Sequence, residues 1–133
     1  MSYSNNPRSI LAGAGILVTP STGTGADAVT VAVAGTQVVA VRIATATPVS
    51  VASTDNLISI QVPGPVAVAV QLAASPATGD TITVKDGLGL ASIATPITIT
   101  PNTGTIDGAV NATINASYGS LTMVYDGTQW LIV

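Results

Sequence analysis

The chain has 133 residues, lacks His, Cys and Phe, and carries three basic and six acidic residues for a net charge of −3. Zinc and iron sites use His or Cys ligands, and general acid–base or nucleophilic catalysis near neutral pH depends mostly on His, so the composition predicts no such metal site, no cofactor and no enzyme. The acidic balance also argues against a nucleic-acid partner, which requires a basic patch.

The first segment, residues 1–36, is predicted to be an arm followed by a β-hairpin. Residues 1–11 begin polar and then become mixed, which is typical of an extended arm that becomes ordered when it docks. Residues 16–19 and 29–33 are short runs rich in Val and Ile on either side of a Gly- and Thr-rich loop, and they predict the two strands of the hairpin.

Residues 37–133 are predicted to form a single β-domain. Strand-forming runs of Val, Ile and Thr recur about every 8–12 residues, with Gly, Pro, Asn or Asp between them. The main runs are residues 38–43, 57–62, 66–72, 81–85, 97–100, 121–125 and 129–133. Helix signals are nearly absent, so we predict an all-β fold, an antiparallel sandwich or barrel.

The clearest alternation in the chain lies in residues 66–72. Val66, Val68, Val70 and Leu72 are predicted to face the core, because successive side chains of a strand point to opposite faces. Ala67, Ala69 and Gln71 then form the other face, whose small side chains suit close approach by another sheet or another subunit. At the end of residues 81–85, Asp86-Gly87 predicts a tight turn.

The few aromatic residues admit two interpretations. Trp130, the single Trp, could be a platform for sugar stacking or an anchor of the core; we favour the core because large aromatic side chains dominate core burial. Tyr118 and Tyr125 are likewise predicted to be structural. Asp80 and Asp86 flank a strand and do not form a calcium-binding loop, so no metal ligands are predicted.

The low charge predicts an oligomer. Only 7% of the residues are charged, against about 25% in ordinary soluble domains. Outward faces made of Ala, Thr, Ser, Val and Gly suit burial against neighbouring subunits, although a neutral monomer coated with Ser and Thr remains the alternative. Mean hydropathy is +0.62, but no stretch of about 18 uninterrupted apolar residues occurs, so no membrane partner is predicted.

An ordered set of motifs in the second half of the chain resembles a pattern of tailed-bacteriophage virion structural proteins. Residues 79–91 match G-D-x-I-x-V-K-D-x-x-G-x-A. The elements that tend to follow it in those proteins also follow here, in order: Pro96 to Pro101, Ile106-Asp107-Gly108, Tyr118, and Asp126-Gly127 with Trp130. Residues 11–19 and 29–31 are also similar to the hairpin units of phage fibre shafts.

The resemblance implies a virion protein, usually a trimer, without catalytic residues. Because fibres are typically long and this chain offers one module and one arm, we expect a capsid decoration (cement or head-fibre) protein, made in the host cytoplasm and located on the capsid surface. Its expected partners are two further copies of itself, in a homotrimer, and the major capsid protein. The expected attachment residues lie in the arm: Tyr3, Asn5, Pro7, Arg8, Ile10 and Leu11.

Two binding alternatives stay open at this point. The first is a tail-fibre or tail-tip module that binds host surface glycans at its outer tip, where Trp130, Tyr118, Tyr125 and the stretch near Asn111 would line an exposed groove. The second is a free carbohydrate-binding module. Both need exposed aromatic side chains, and the aromatic content is 3%.

Overall fold

The computed structural model describes residues 16–20, 29–33 and 39–133. The chain divides into two units, Met1–Val38 and Val39–Val133, where the sequence predicts a division after residue 36. In the first unit, β1 (Ile16–Pro20) pairs antiparallel with β2 (Val29–Val33), as the predicted hairpin requires.

The second unit is built from nine strands within the described residues. They are β3 (Val41–Ala44), β4 (Val49–Ser50), β5 (Leu57–Ile60), β6 (Val68–Gln71), β7 (Thr81–Asp86), β8 (Ile97–Thr100), β9 (Ala112–Ile114), β10 (Ser120–Tyr125) and β11 (Trp130–Ile132). No helix occurs in this part of the chain, so the predicted all-β character is confirmed there.

From β3 to β8, consecutive strands of the second unit alternate between two sheets. One sheet has the strand order β11-β10-β7-β5-β3 and the other has the order β4-β6-β8-β9. Strands β3, β5 and β7 run parallel in the first sheet, and β4, β6 and β8 run parallel in the second. From β3 to β8 the chain therefore winds as a short β-solenoid, with one strand in each sheet per turn. Among the strands of the second unit, the antiparallel pairs are β8 with β9, β7 with β10, and β10 with β11.

The prediction of purely antiparallel pairing and the barrel alternative are both wrong. Both sheets are mixed, and the described strands do not close into a barrel. Parallel neighbours need a crossover connection, and here a strand of the opposite sheet provides it where other folds use a helix. The sequence pattern that predicted each strand does not encode which strand becomes its neighbour.

The core is a single hydrophobic cluster with members from both sheets. Ile58, Val84, Ile99 and Met123 are fully buried in it. Trp130 is 2% exposed and Tyr125 is also buried, and their ring centroids lie 5.3 Å apart. Both aromatic residues are therefore core residues, which confirms the prediction for Trp130 and agrees with a structural role for Tyr125.

The alternation predicted for residues 66–72 is confirmed except at its start. Val68, Val70 and Leu72 are buried, while Val66 is 47% exposed. The expectation that Val66 belongs to the core is wrong because β6 begins only at Val68. Val66 belongs to the turn after Pro65, where its N–H donates a hydrogen bond to the Gly64 carbonyl.

Candidate interaction surfaces

The outward face of the five-stranded sheet carries both large aliphatic side chains and hydroxyl side chains. Register places Val41 beside Leu57, and Leu57 beside Thr83, on the side opposite the buried Ile58 and Val84. The same alternation continues through β10 and β11. We name this surface the aliphatic face and define it by Val41, Ile43, Leu57, Ser59, Thr81, Thr83, Lys85, Ser120, Thr122, Val124 and Leu131. Lys85 is the single charged residue in this set.

Among the polar side chains of the aliphatic face, all but Ser120 have a hydrogen-bond partner within the protein. The hydroxyls of Thr83 and Thr122 lie 2.9 Å apart across neighbouring strands. The Lys85 ammonium donates a hydrogen bond to the backbone carbonyl of Tyr118. Ser59 accepts a bond of 3.3 Å from the Gln61 amide. Because a buried polar group is costly mainly when it lacks a partner, this face can be covered at a low desolvation cost.

The outward face of the four-stranded sheet has a different chemistry. We name it the hydroxyl face and define it by Ser50, Ala69, Gln71, Thr98, Thr100 and Thr113. Apart from Ala69, these side chains carry a hydroxyl or an amide, which water solvates well. The predicted contact of Ala67 and Ala69 with another subunit falls on this side of the molecule and stays a prediction.

A buried carboxylate fixes two loops at one end of β7. Asp86 is 2% exposed. Its Oδ1 accepts bonds from the N–H groups of Leu88 (3.3 Å) and Gly89 (3.0 Å), and its Oδ2 accepts bonds from those of Ala91 (3.0 Å) and Tyr118 (3.1 Å). The Asp86 side chain thus ties the connection from β7 to β8 to the turn before β10. Sequence reasoning took Asp86-Gly87 as a tight turn and missed this burial.

The Asp86 carboxylate stays ionised despite its burial. Burial acts to raise its pKa, but the hydrogen bonds from the backbone N–H groups of Ala91, Tyr118 and Gly89 together hold the pKa below its ordinary value. The ionised form is therefore part of the folded structure.

Gly89 and Tyr118 lie in close contact where these two loops meet. Gly89 has φ +73°, and a Cβ atom at this position would overlap the Tyr118 ring. The Ser117 hydroxyl donates a 2.8 Å hydrogen bond to the Gly89 carbonyl. Asp86, Gly89 and the buried Ala91 are three residues of the motif that resembles phage proteins. In this structure they have a local structural role, because together they form a rigid loop.

An ion pair joins β3, the first strand of the solenoid, to the connection between β4 and β5. Arg42 Nη2 lies 2.8 Å from Asp55 Oδ2, and Arg42 Nε donates to both oxygens of that carboxylate. The hydrogen bond from Arg42 lowers the pKa of Asp55, although burial opposes this shift. Arg42 also donates a 2.7 Å bond to the Ser50 carbonyl and so connects β3 with β4.

The residues predicted for glycan binding are not brought together on the surface. Tyr118 is 60% exposed and Asn111 is also exposed, but Trp130 and Tyr125 are buried in the core. The expectation that all four line an exposed groove is therefore wrong. Alternation along residues 129–133 left the side of Trp130 undetermined, and the pairing of β10 with β11 places it inward.

The predicted attachment residues, Tyr3, Asn5, Pro7, Arg8, Ile10 and Leu11, lie outside the described residues. In the described ranges, no group of three or more acidic side chains could hold a metal ion. The same ranges contain no helix long and apolar enough to span a membrane. The sequence matches no known protein-family model and shows no significant similarity to a curated protein.

Proposed function

We propose that the protein is a non-enzymatic structural component of a tailed-phage virion. In this proposal its two sheets pack as a sandwich, three copies form a homotrimer, and the trimer decorates the outside of the capsid. The N-terminal arm binds the major capsid protein, and the bound trimer stabilises the shell.

The observation that carries this proposal is the chemistry of the two outward sheet faces. The aliphatic and hydroxyl faces together contain one charged side chain, Lys85, and its ammonium is held by the Tyr118 carbonyl. The solubility of a monomer usually depends on charges interspersed over its surface. A surface with so few charges is therefore better suited to contact with other protein surfaces than to exposure to solvent.

The motif resemblance supports the virion assignment. Within the motif, Asp86 accepts hydrogen bonds from the backbone N–H groups of Gly89 and Ala91, and it accepts another from that of Tyr118. These contacts fix a pair of loops, which supports a structural role for the motif. The glycan-binding alternative is weakened, because two of its three aromatic residues belong to the core.

Stabilisation of the shell would come from the burial of apolar surface between each attached copy and the capsid. Each attached copy removes apolar area from water, at about 25 cal/mol per Å². The loss of translational and rotational freedom on binding offsets much of this gain. Three arms on one trimer would restore affinity, because binding of the first arm raises the effective concentration of the other two.

Binding to empty capsids tests the proposal. Purified protein would be mixed with capsids assembled from the major capsid protein of the same phage, and the bound copies counted. We expect saturable binding in multiples of three, a higher melting temperature of the shell, and loss of binding when residues 1–11 are deleted. Absence of saturable binding by the intact protein would contradict the decoration role. Full binding by the deleted form would contradict the role of the arm alone.

A further inference from the structure

We infer that copies of this chain contact one another through the aliphatic face. This inference rests on the self-association in the proposed function and specifies the surface that produces it. The second copy is the proposed occupant, and the hydroxyl face is left toward solvent.

The first argument is the contrast between the two outward faces. The aliphatic face contains Val41, Ile43, Leu57, Val124 and Leu131, distributed over four of its five strands. The hydroxyl face contains no side chain larger than Ala that is purely aliphatic. Burial of the first face removes much more apolar area from water, so the hydrophobic effect favours it as the contact surface.

The second argument identifies a second copy as the occupant. Around a threefold axis the three copies turn the same face inward, so like charges on that face would lie close to one another. The aliphatic face has no carboxylate, and its one cation, Lys85, is directed to the Tyr118 carbonyl near the end of the sheet. Nothing on this face therefore repels an identical face.

The third argument concerns the centre of the face, where an interface must exclude water. Thr83 and Thr122 are the polar residues there, and each hydroxyl has the other as its hydrogen-bond partner at 2.9 Å. Water can therefore be removed from the centre without leaving either hydroxyl unpaired. A binding site for a polar ligand would instead present unpaired groups at this position.

The area that a stable interface buries indicates how far the contact must extend. With strands about 4.8 Å apart and residues about 3.3 Å apart, five strands of three to six residues cover roughly 400 Å² in projection. A stable interface buries about 800 Å² of accessible surface on each partner. The strands alone fall short of that area, so the contact must also extend to exposed flanking residues such as Val39.

Two matched Thr→Lys variants test the assignment. Thr83 and Thr98 are both half-buried, lie in inner strands and point outward, but Thr83 is on the aliphatic face and Thr98 on the hydroxyl face. The mass of the wild-type chain, Thr83→Lys and Thr98→Lys would be measured by light scattering over a concentration series. Fluorescence of Trp130, the single Trp, would report whether each variant is folded.

We expect at least tenfold weaker self-association for Thr83→Lys and an unchanged mass for Thr98→Lys. An oligomeric wild type whose mass persists in Thr83→Lys, or dissociates equally in both variants, would overturn the assignment and leave the proposed function standing. A monomeric wild type would remove the proposed function itself. If Thr83→Lys does not fold, Val124→Lys on the same face takes its place, with the same expected and contradicting results.

Discussion

Asp86 illustrates how a charged side chain becomes part of an otherwise apolar core. Four backbone N–H groups from two loops converge on its carboxylate. The carboxylate satisfies these donors, including that of the buried Ala91, and the donors in turn stabilise its charge. Asp86 therefore connects two segments that are more than 20 positions apart in the sequence.

Replacement of this carboxylate is predicted to destabilise the fold strongly. Asp86→Ala leaves four backbone donors without a partner, including that of the buried Ala91, and we expect a loss of about 3 kcal/mol in the free energy of unfolding, measured by urea denaturation. Asp126→Ala is the matched control. Asp126 also accepts three hydrogen bonds, from Thr128 and Gln129, but it is exposed, so water can replace it. Equal losses in the two variants would contradict the role assigned to burial.

The lowered pKa of Asp86 predicts a defined pH dependence. Its pKa in the folded state lies below the unfolded value of about 3.9, so the unfolded chain takes up the proton first as the pH falls. The contribution of Asp86 to stability is therefore complete above about pH 4 and is lost at lower pH. We expect the wild type to lose more stability between pH 5 and pH 3 than Asp86→Asn, measured by urea denaturation at each pH. Parallel pH profiles would contradict this prediction.

At the scale of the elements, the contact between two loops is predicted to depend on the absence of a side chain. Gly89 and Gly79 both have positive φ, but a Cβ at Gly89 would overlap Tyr118, whereas nothing lies within 4 Å of one at Gly79. Gly79→Ala should cost roughly 1 kcal/mol through backbone strain alone. Gly89→Ala should cost roughly 2–4 kcal/mol, because overpacking adds to that strain.

A double-mutant cycle separates the two contributions at Gly89. In a Tyr118→Ala background the overlap with the ring is removed while the Ser117 hydroxyl oxygen, 2.9 Å away, stays close, so the cost of Gly89→Ala should fall towards that of Gly79→Ala. The free energies of unfolding of the single and double variants provide this comparison. An unchanged cost would show that Tyr118 does not pack on Gly89.

The individual strands could be predicted because their signal is local. Alternation in Val68, Val70 and Leu72, or in Ile97 and Ile99, reflects one buried and one outward face, which neighbouring residues reveal without reference to the rest of the chain. The prediction failed where a strand is shorter than its pattern, as at Val66. The hairpin of β10 and β11 was also predictable, because Asp126-Gly127 provides the turn between the two runs.

At the scale of the whole molecule, local sequence patterns did not reveal which strands become neighbours. Leu57 and Thr83 are side by side in the structure although 26 positions separate them, and no residue in between specifies the crossover through β6. The aliphatic face was missed for the same reason. Its members come from five strands, each contributing one to three residues, and only the strand order brings them onto one surface. Low charge predicted self-association, but it did not predict the surface.

Self-association is the central claim, and the mass of the intact wild-type chain in solution tests it most directly. Sedimentation equilibrium at micromolar concentration should give three times the chain mass of 13.1 kDa. A folded chain that sediments at 13.1 kDa over the same concentrations would contradict the claim, because its aliphatic face would then be stable in contact with water.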